Sequence, residues 1–114
     1  INDEHGHDVG DDILVAVTSL VLDRIRVTDK LYRIGGEEFV IVVDGDLDGV
    51  AARLAEELRA LIEQANMPAR CRVTASIGLA QLKESESQRE WLRRADEALY
   101  VAKNSGRNRV SVAA

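Results

Sequence analysis

Gly35-Gly36-Glu37-Glu38-Phe39 is the stretch whose residue types could do chemistry. Two glycines at a turn tip remove side chains, so a bulky ligand can approach the backbone, and two consecutive carboxylates stand beside that opening. Adjacent anions repel each other. A hard divalent cation resolves the repulsion, and Mg²⁺ in particular takes one or two carboxylates together with the phosphate oxygens of a substrate. The same five residues also suit a surface hairpin with solvated glutamates. Lys103 and Arg107 straddle the predicted end of the last helix, where cations compensate the helix dipole and can also meet an anion. Arg26 and Asp29, three apart just before the Gly-Gly turn, suit an exposed ion pair at a helix end. His5 and His7 lack the third histidine or cysteine that a zinc site needs, so a hydrogen-bonding role within their loop is expected.

The elements that must position these groups can be read from periodicity. Between Asp11 and Val27 the apolar residues Ile13, Leu14, Val17, Leu20, Val21 and Ile25 recur at spacings of three and four, the mark of one buried helix face. Asp11 is the expected N-cap, and Gly6 and Gly10 mark a loop before it. Leu31 to Ile34 and Glu38 to Val43 are two β-prone runs joined by Gly35-Gly36 in a tight hairpin, and the unbroken apolar run from Phe39 predicts a strand buried on both faces. A second helix is predicted from Val50 to about Ala65, stopped by Asn66-Met67-Pro68. Cys71, Val73, Ala75 and Ile77 alternate with Arg70, Arg72, Thr74 and Ser76, which predicts a half-buried strand with a bulge at Gly78. A third helix to about Lys103, stopped by Gly106, and a short strand from Asn108 to Val112 complete an α+β sandwich of one sheet covered by helices.

Composition bounds what such a chain can be. With 114 residues, 46% hydrophobic and 31% charged, it has the make-up of one ordinary globular domain rather than a disordered segment. Cys71 is the only cysteine, so an intrachain disulfide and a cysteine-rich zinc site are excluded, and a reducing cytosol fits. The net charge is −5, against general nucleic-acid binding, and four aromatic residues make a poor stacking platform for RNA. Charge is unevenly placed: residues 1–48 sum to −8 and residues 88–114 to +3. The acidic front holds the carboxylates named above, and the basic tail holds Lys103 and Arg107.

Four motifs in order carry a family resemblance. Gly35-Gly36-Glu37-Glu38-Phe39 resembles the signature of GGDEF domains, the diguanylate cyclases, in the variant with Glu at the third position. Asn2-Asp3-Glu4-His5-Gly6-His7-Asp8-Val9-Gly10-Asp11 resembles the family's Asn-Asp…Gly-His…Gly-Asp segment, and Thr74-Ala75-Ser76-Ile77-Gly78 its Ser-Ile-Gly strand. The run from Ala95-Asp96-Glu97-Ala98-Leu99-Tyr100 to Lys103, with Gly106-Arg107-Asn108, resembles its closing helix. The resemblance implies one GGDEF-type domain over residues 1–114, with a palm-like nucleotidyl-cyclase sheet, mainly antiparallel and flanked by helices. It also implies that the family's first strand, with its metal-binding Asp, precedes Ile1, so that the 114 residues alone are expected to be inactive and poorly stable.

What the resemblance implies for function is specific. The family condenses two GTP into cyclic di-GMP and pyrophosphate with Mg²⁺ or Mn²⁺, each subunit of a homodimer presenting one nucleotide. Glu37 and Glu38 match its metal and catalytic positions, Gly35 and Gly36 its substrate-approach glycines, Asn2 and Asp11 its guanine-reading residues, and Lys103 and Arg107 its triphosphate-binding pair. Arg26-Val27-Thr28-Asp29 matches the RxxD motif at which many members bind cyclic di-GMP as a feedback inhibitor. Arg53 and Arg59 are candidates for a further arginine there, while Glu57 would repel the ligand. The alternative reading is a non-catalytic cyclic di-GMP receptor on the same fold. A cytoplasmic location is expected, with membrane attachment only through upstream segments.

Overall fold

The computed structural model describes residues 6–35, 38–45 and 49–113. In chain order it has α1 (Gly6–Arg24), β1 (Lys30–Arg33), β2 (Phe39–Val42), α2 (Val50–Gln64), a 3₁₀ turn (Pro68–Arg70), β3 (Ile77–Leu79), α3 (Gln88–Asn104) and β4 (Val110–Val112).

Helix α1 begins five residues ahead of the expected start. Gly10, Ile13 and Val21 are buried and Val9 and Val17 half-buried, so the inward stripe continues one turn beyond Asp11. Packing of that stripe outweighs the roughly 1 kcal/mol by which a helical glycine is less favourable than alanine. Asp11 is therefore an exposed residue of the second helical turn rather than an N-cap. Gly6 to Gly10 are helix rather than loop, and His7 lies on α1.

Strands β1 and β2 form the expected antiparallel hairpin, with Leu31 opposite Ile41 and Arg33 opposite Phe39. Leu31, Ile41 and Val43 pack on a cluster of Val21, Leu54 and Leu58, which fixes the hairpin to α1 and α2. Each residue of β2 is half-buried, not buried on both faces, because among the described residues β2 pairs with β1 alone and so forms part of a two-stranded ladder only.

Helix α2 carries an apolar stripe that buries Leu54, Leu58 and Ile62 as expected, together with Ala51 and Ala55, while Leu61, which the same spacing would place inward, is exposed. It touches α1 on one side and β3 and β4 on the other, and so joins the two halves of the molecule. The run before β3 keeps its predicted alternation as far as Ala75, with Cys71, Val73 and Ala75 half-buried and Arg70, Arg72 and Thr74 exposed, but Ser76 is half-buried too and the ladder starts only at Ile77. Strand β3 pairs in parallel with β4, and α3 is the crossover that parallel strands require. The sheet thus appears as two separate two-stranded ladders among the described residues.

Gly78 is not a bulge. It sits within β3 opposite Ser111, and a Cβ there would lie 2.2 Å from the Ala95 carbonyl oxygen and 2.3 Å from the Leu99 nitrogen. Helix α3 can approach the strand this closely only over a glycine, and Ala98 and Ala102 are buried in the same seam. Ser87 starts α3 with a capping box: its hydroxyl accepts from the Glu90 N–H while the Glu90 carboxylate accepts from the Ser87 N–H. No helix among the described residues is long and apolar enough to cross a membrane.

Candidate active site

The hairpin presents the first candidate group. Ile34 N–H donates to the Glu38 carbonyl at 3.0 Å, which closes the hairpin beyond the last β1–β2 pair. Gly35 is exposed and is not among the residues with positive φ, so it serves here by lacking a side chain rather than by a left-handed backbone. The Glu38 carboxylate folds back over it: an added Cβ on Gly35 would meet Glu38 Oε2 at 3.7 Å. Glu38 is exposed at the start of the returning strand. Asn2, Gly36 and Glu37 lie outside the described residues. Among the described residues no cluster of three or more His, Cys, Asp or Glu side chains could hold a metal ion.

The base of the same hairpin is closed by Arg26 and Asp29. The sequence suggested an exposed pair, but the Asp29 side chain has no exposed surface while that of Arg26 is 46% exposed. One Asp29 oxygen accepts from Arg26 N–H at 2.9 Å and Arg26 Nε at 3.2 Å; the other accepts from Arg26 Nη2 at 3.0 Å and Asp44 N–H at 3.3 Å. Arg26 Nη2 also donates to the Asp44 carbonyl at 2.8 Å. These donors, the Arg26 guanidinium first, hold the Asp29 carboxyl below its ordinary value. Asp44, which closes the brace from the end of β2, was not singled out by the sequence. Its only local signal is the Asp44-Gly45 turn.

The basic groups stand at the end of α3. Lys103 is half-buried in the last turn, and Arg107 is exposed with φ 61° in the segment that follows. Arg107 N–H donates to the Ala102 carbonyl at 3.0 Å, capping the helix past Gly106. Asp11, Glu38 and the Lys103–Arg107 pair are carried by three separate elements, and among the described residues none of them hydrogen-bonds another. Of the further arginines, Arg59 is engaged by Glu56, Glu63 and Asn108, and Glu57 accepts from Arg24.

This arrangement, a glycine-tipped acidic hairpin, a basic helix end and a β3–α3–β4 unit, can be set against known proteins. Residues 1–109 match the family model described as "Diguanylate cyclase, GGDEF domain". The chain belongs to the GGDEF family. Its GGDEF domain is 41% identical over 113 residues to diguanylate cyclase DgcM of Escherichia coli K12, covering 99% of this chain and 28% of that protein. Among solved structures, it resembles the GGDEF domain of DgcB from Caulobacter crescentus in complex with c-di-GMP, with a TM-score of 0.92 and 32% identity over 97% of this chain and 68% of that one. It also resembles the active GGEEF domain of a diguanylate cyclase from Vibrio cholerae, with a TM-score of 0.91 and 33% identity over 100% of this chain and 74% of that one. The mixed helix and strand architecture expected from the sequence is therefore that of GGDEF domains.

Proposed function

We propose that this GGDEF domain is the catalytic part of a diguanylate cyclase that condenses two GTP into cyclic di-GMP and pyrophosphate in the cytoplasm. The observation that carries the reading is the family match over residues 1–109, with the signature present in its Glu variant as Gly35-Gly36-Glu37-Glu38-Phe39. A relative with the same GGEEF spelling is described as active.

In this reading Glu37 and Glu38 hold Mg²⁺ or Mn²⁺. The donor set fits, since carboxylates on consecutive residues, of which Glu38 is exposed, suit a hard cation that keeps most of its coordination for water and phosphate oxygens. When bound, the metal supplies charge neutralisation for the attacked α-phosphate and the leaving pyrophosphate. Glu37 also takes the proton from the attacking 3′-hydroxyl. Asn2 and Asp11 read the guanine edge, whose N–H donors suit an exposed carboxylate. Lys103, as a point charge, and Arg107, as a fork, hold the triphosphate, with Gly35 and Gly36 leaving room for it. Each subunit of a homodimer presents one nucleotide, which brings a hydroxyl of one GTP to the phosphorus of the other.

Arg26 and Asp29 form the feedback site for cyclic di-GMP. Because both Asp29 oxygens are already engaged, Arg26 makes the phosphate or guanine contact and Asp29 holds it in place; any Asp29 contact with guanine requires the brace to open.

The test uses the natural chain that carries this domain, incubated with GTP and Mg²⁺ and assayed for cyclic di-GMP and pyrophosphate. The expected result is turnover in the unaltered chain and a loss of about 10²-fold or more in Glu37→Ala. A folded chain that forms no product overturns the cyclase reading. Cyclic di-GMP binding without turnover, lost in Arg26→Ala, would instead establish the receptor.

A further inference from the structure

The segment after α3 holds three consecutive residues at positive φ: Gly106 at 125°, Arg107 at 61° and Asn108 at 47°. Glycine takes such a backbone freely, and a Cβ on Gly106 would also stand 2.5 Å from the Arg109 guanidinium. Arg107 does not have that freedom, and Asn108 has it only in part, since asparagine enters the left-handed region more readily than other side chains but still less freely than glycine. Non-glycine residues persist there only where their surroundings over-determine them, and such positions gather at functional sites.

The constraint comes from α2, an element that contributes none of the proposed triphosphate contacts. Arg59 Nη1 donates to Asn108 Oδ1 at 2.8 Å and to Glu63 Oε1 at 3.2 Å, and the Asn108 amide donates in turn to Glu63 Oε2. The three side chains form a closed ring. Arg59 is itself held, because its Nε donates to both carboxylate oxygens of Glu56 at 3.0 Å and only 17% of its side chain is exposed. On the backbone side, Asn108 N–H donates to Ser76 Oγ at 3.2 Å, Arg109 Nε donates to the Arg107 carbonyl at 3.1 Å, and Ile77 N–H donates to the Arg109 carbonyl at 2.9 Å where the β3–β4 ladder begins. Asn108 is thus gripped from both sides, while the neighbouring Arg107 side chain is exposed.

We propose that Arg59 and Glu63 form a latch on Asn108 that keeps the 106–108 arc in its left-handed form and so positions Arg107 for the triphosphate. The proposal rests on the assignment of Arg107 as a phosphate-binding residue. Arg59, Glu63 and Asn108 are positioning residues: they act through Arg107 and do not contact the nucleotide. A planar guanidinium is required at position 59, since it alone serves Glu56, Glu63 and Asn108 together; an ammonium cannot span all three.

The natural chain carrying this domain is titrated with Mg²⁺ and 3′-deoxy-GTP, which binds but cannot condense, after circular dichroism has shown each variant folded. Asn108→Ala is expected to raise the Kd about tenfold, Arg59→Lys several-fold and Arg107→Ala about tenfold, with the Asn108→Ala/Arg107→Ala double variant no weaker than Arg107→Ala alone. That non-additivity is what a merely structural role would not produce. Losses that add, or an Asn108→Ala chain with unchanged affinity beside a weakened Arg107→Ala, overturn the latch. Unchanged affinity in Arg107→Ala overturns the phosphate assignment and the latch with it. If Asn108→Ala does not fold, Arg59→Lys with and without Arg107→Ala gives the same two readings.

Discussion

At the scale of single residues, Asp29 is the one charged residue that is buried as a whole among the described residues. A buried carboxylate is tolerated only when its lone pairs are met, and here donors from Arg26 and Asp44 meet them. Asp29→Ala leaves Arg26 and the Asp44 N–H without this acceptor. It should cost about 2–4 kcal/mol in urea unfolding, with Asp29→Asn falling between it and the unaltered chain. An unchanged midpoint would show that the brace is not what holds the hairpin base. Glu38 is the opposite case. It is exposed, so Glu38→Ala should leave the urea midpoint within about 0.5 kcal/mol while abolishing turnover, which separates its chemistry from folding. The i, i+3 spacing of Arg26 and Asp29 was visible in the sequence. The burial of Asp29 was not, because it depends on Asp44 arriving from β2, on the far side of the hairpin.

At the scale of elements, α3 is held by two local devices of different kinds. Its start is the Ser87–Glu90 capping box, and Ser87→Ala should destabilise the fold by about 1 kcal/mol, a fall of roughly 4–8 °C in Tm for a domain of this size. Its seam with β3 depends on Gly78. The atoms that an added methyl would meet are the Ala95 carbonyl and the Leu99 backbone, which cannot rotate aside, so Gly78→Ala should cost more than the cap, about 1–3 kcal/mol. A thermal melt of the two variants ranks them. A smaller effect at Gly78 than at Ser87 would mean that helix and strand can separate without loss. Glycine in a strand signals either a bulge or a close approach. Nothing local distinguishes them, and the helix that crosses Gly78 lies some twenty residues along the chain.

At the scale of the whole molecule, α2 is the piece shared by both halves. It packs its apolar stripe on α1 and the hairpin, and its polar edge reaches the loop before β4 through Arg59 and Glu63. Acid should reveal the contribution of the paired carboxylates to the stability of the whole fold. The Glu86 carboxylate is held at about 2, first by the Arg94 side chain that bonds it, and Asp29 also lies below its ordinary value. Both groups bind protons more readily in the unfolded chain. The stability they contribute is complete above their ordinary values near 4 and is lost as pH falls through the folded ones. Urea midpoints should therefore drop between about pH 4.5 and pH 2, and Glu86→Gln should show a shallower drop over the same window. Equal slopes in the two chains would mean that the Arg94–Glu86 pair persists in the unfolded state.

The sequence by itself determined the family, through four ordered motifs, and the local elements: the periodicity of α2, the end of α3 near Gly106, and the two hairpin strands. Those signals lie within a few residues of what they specify. Two local signals misled. Glycines placed a loop where packing extends α1, and an alternating run from Cys71 placed a strand where the ladder begins only at Ile77. The tertiary structure alone decided that Asp29 is buried, that Gly78 lies under α3, and that Asn108 is held by Arg59, 49 residues away. Such contacts depend on where distant segments of chain arrive, and only the folded path brings those side chains together.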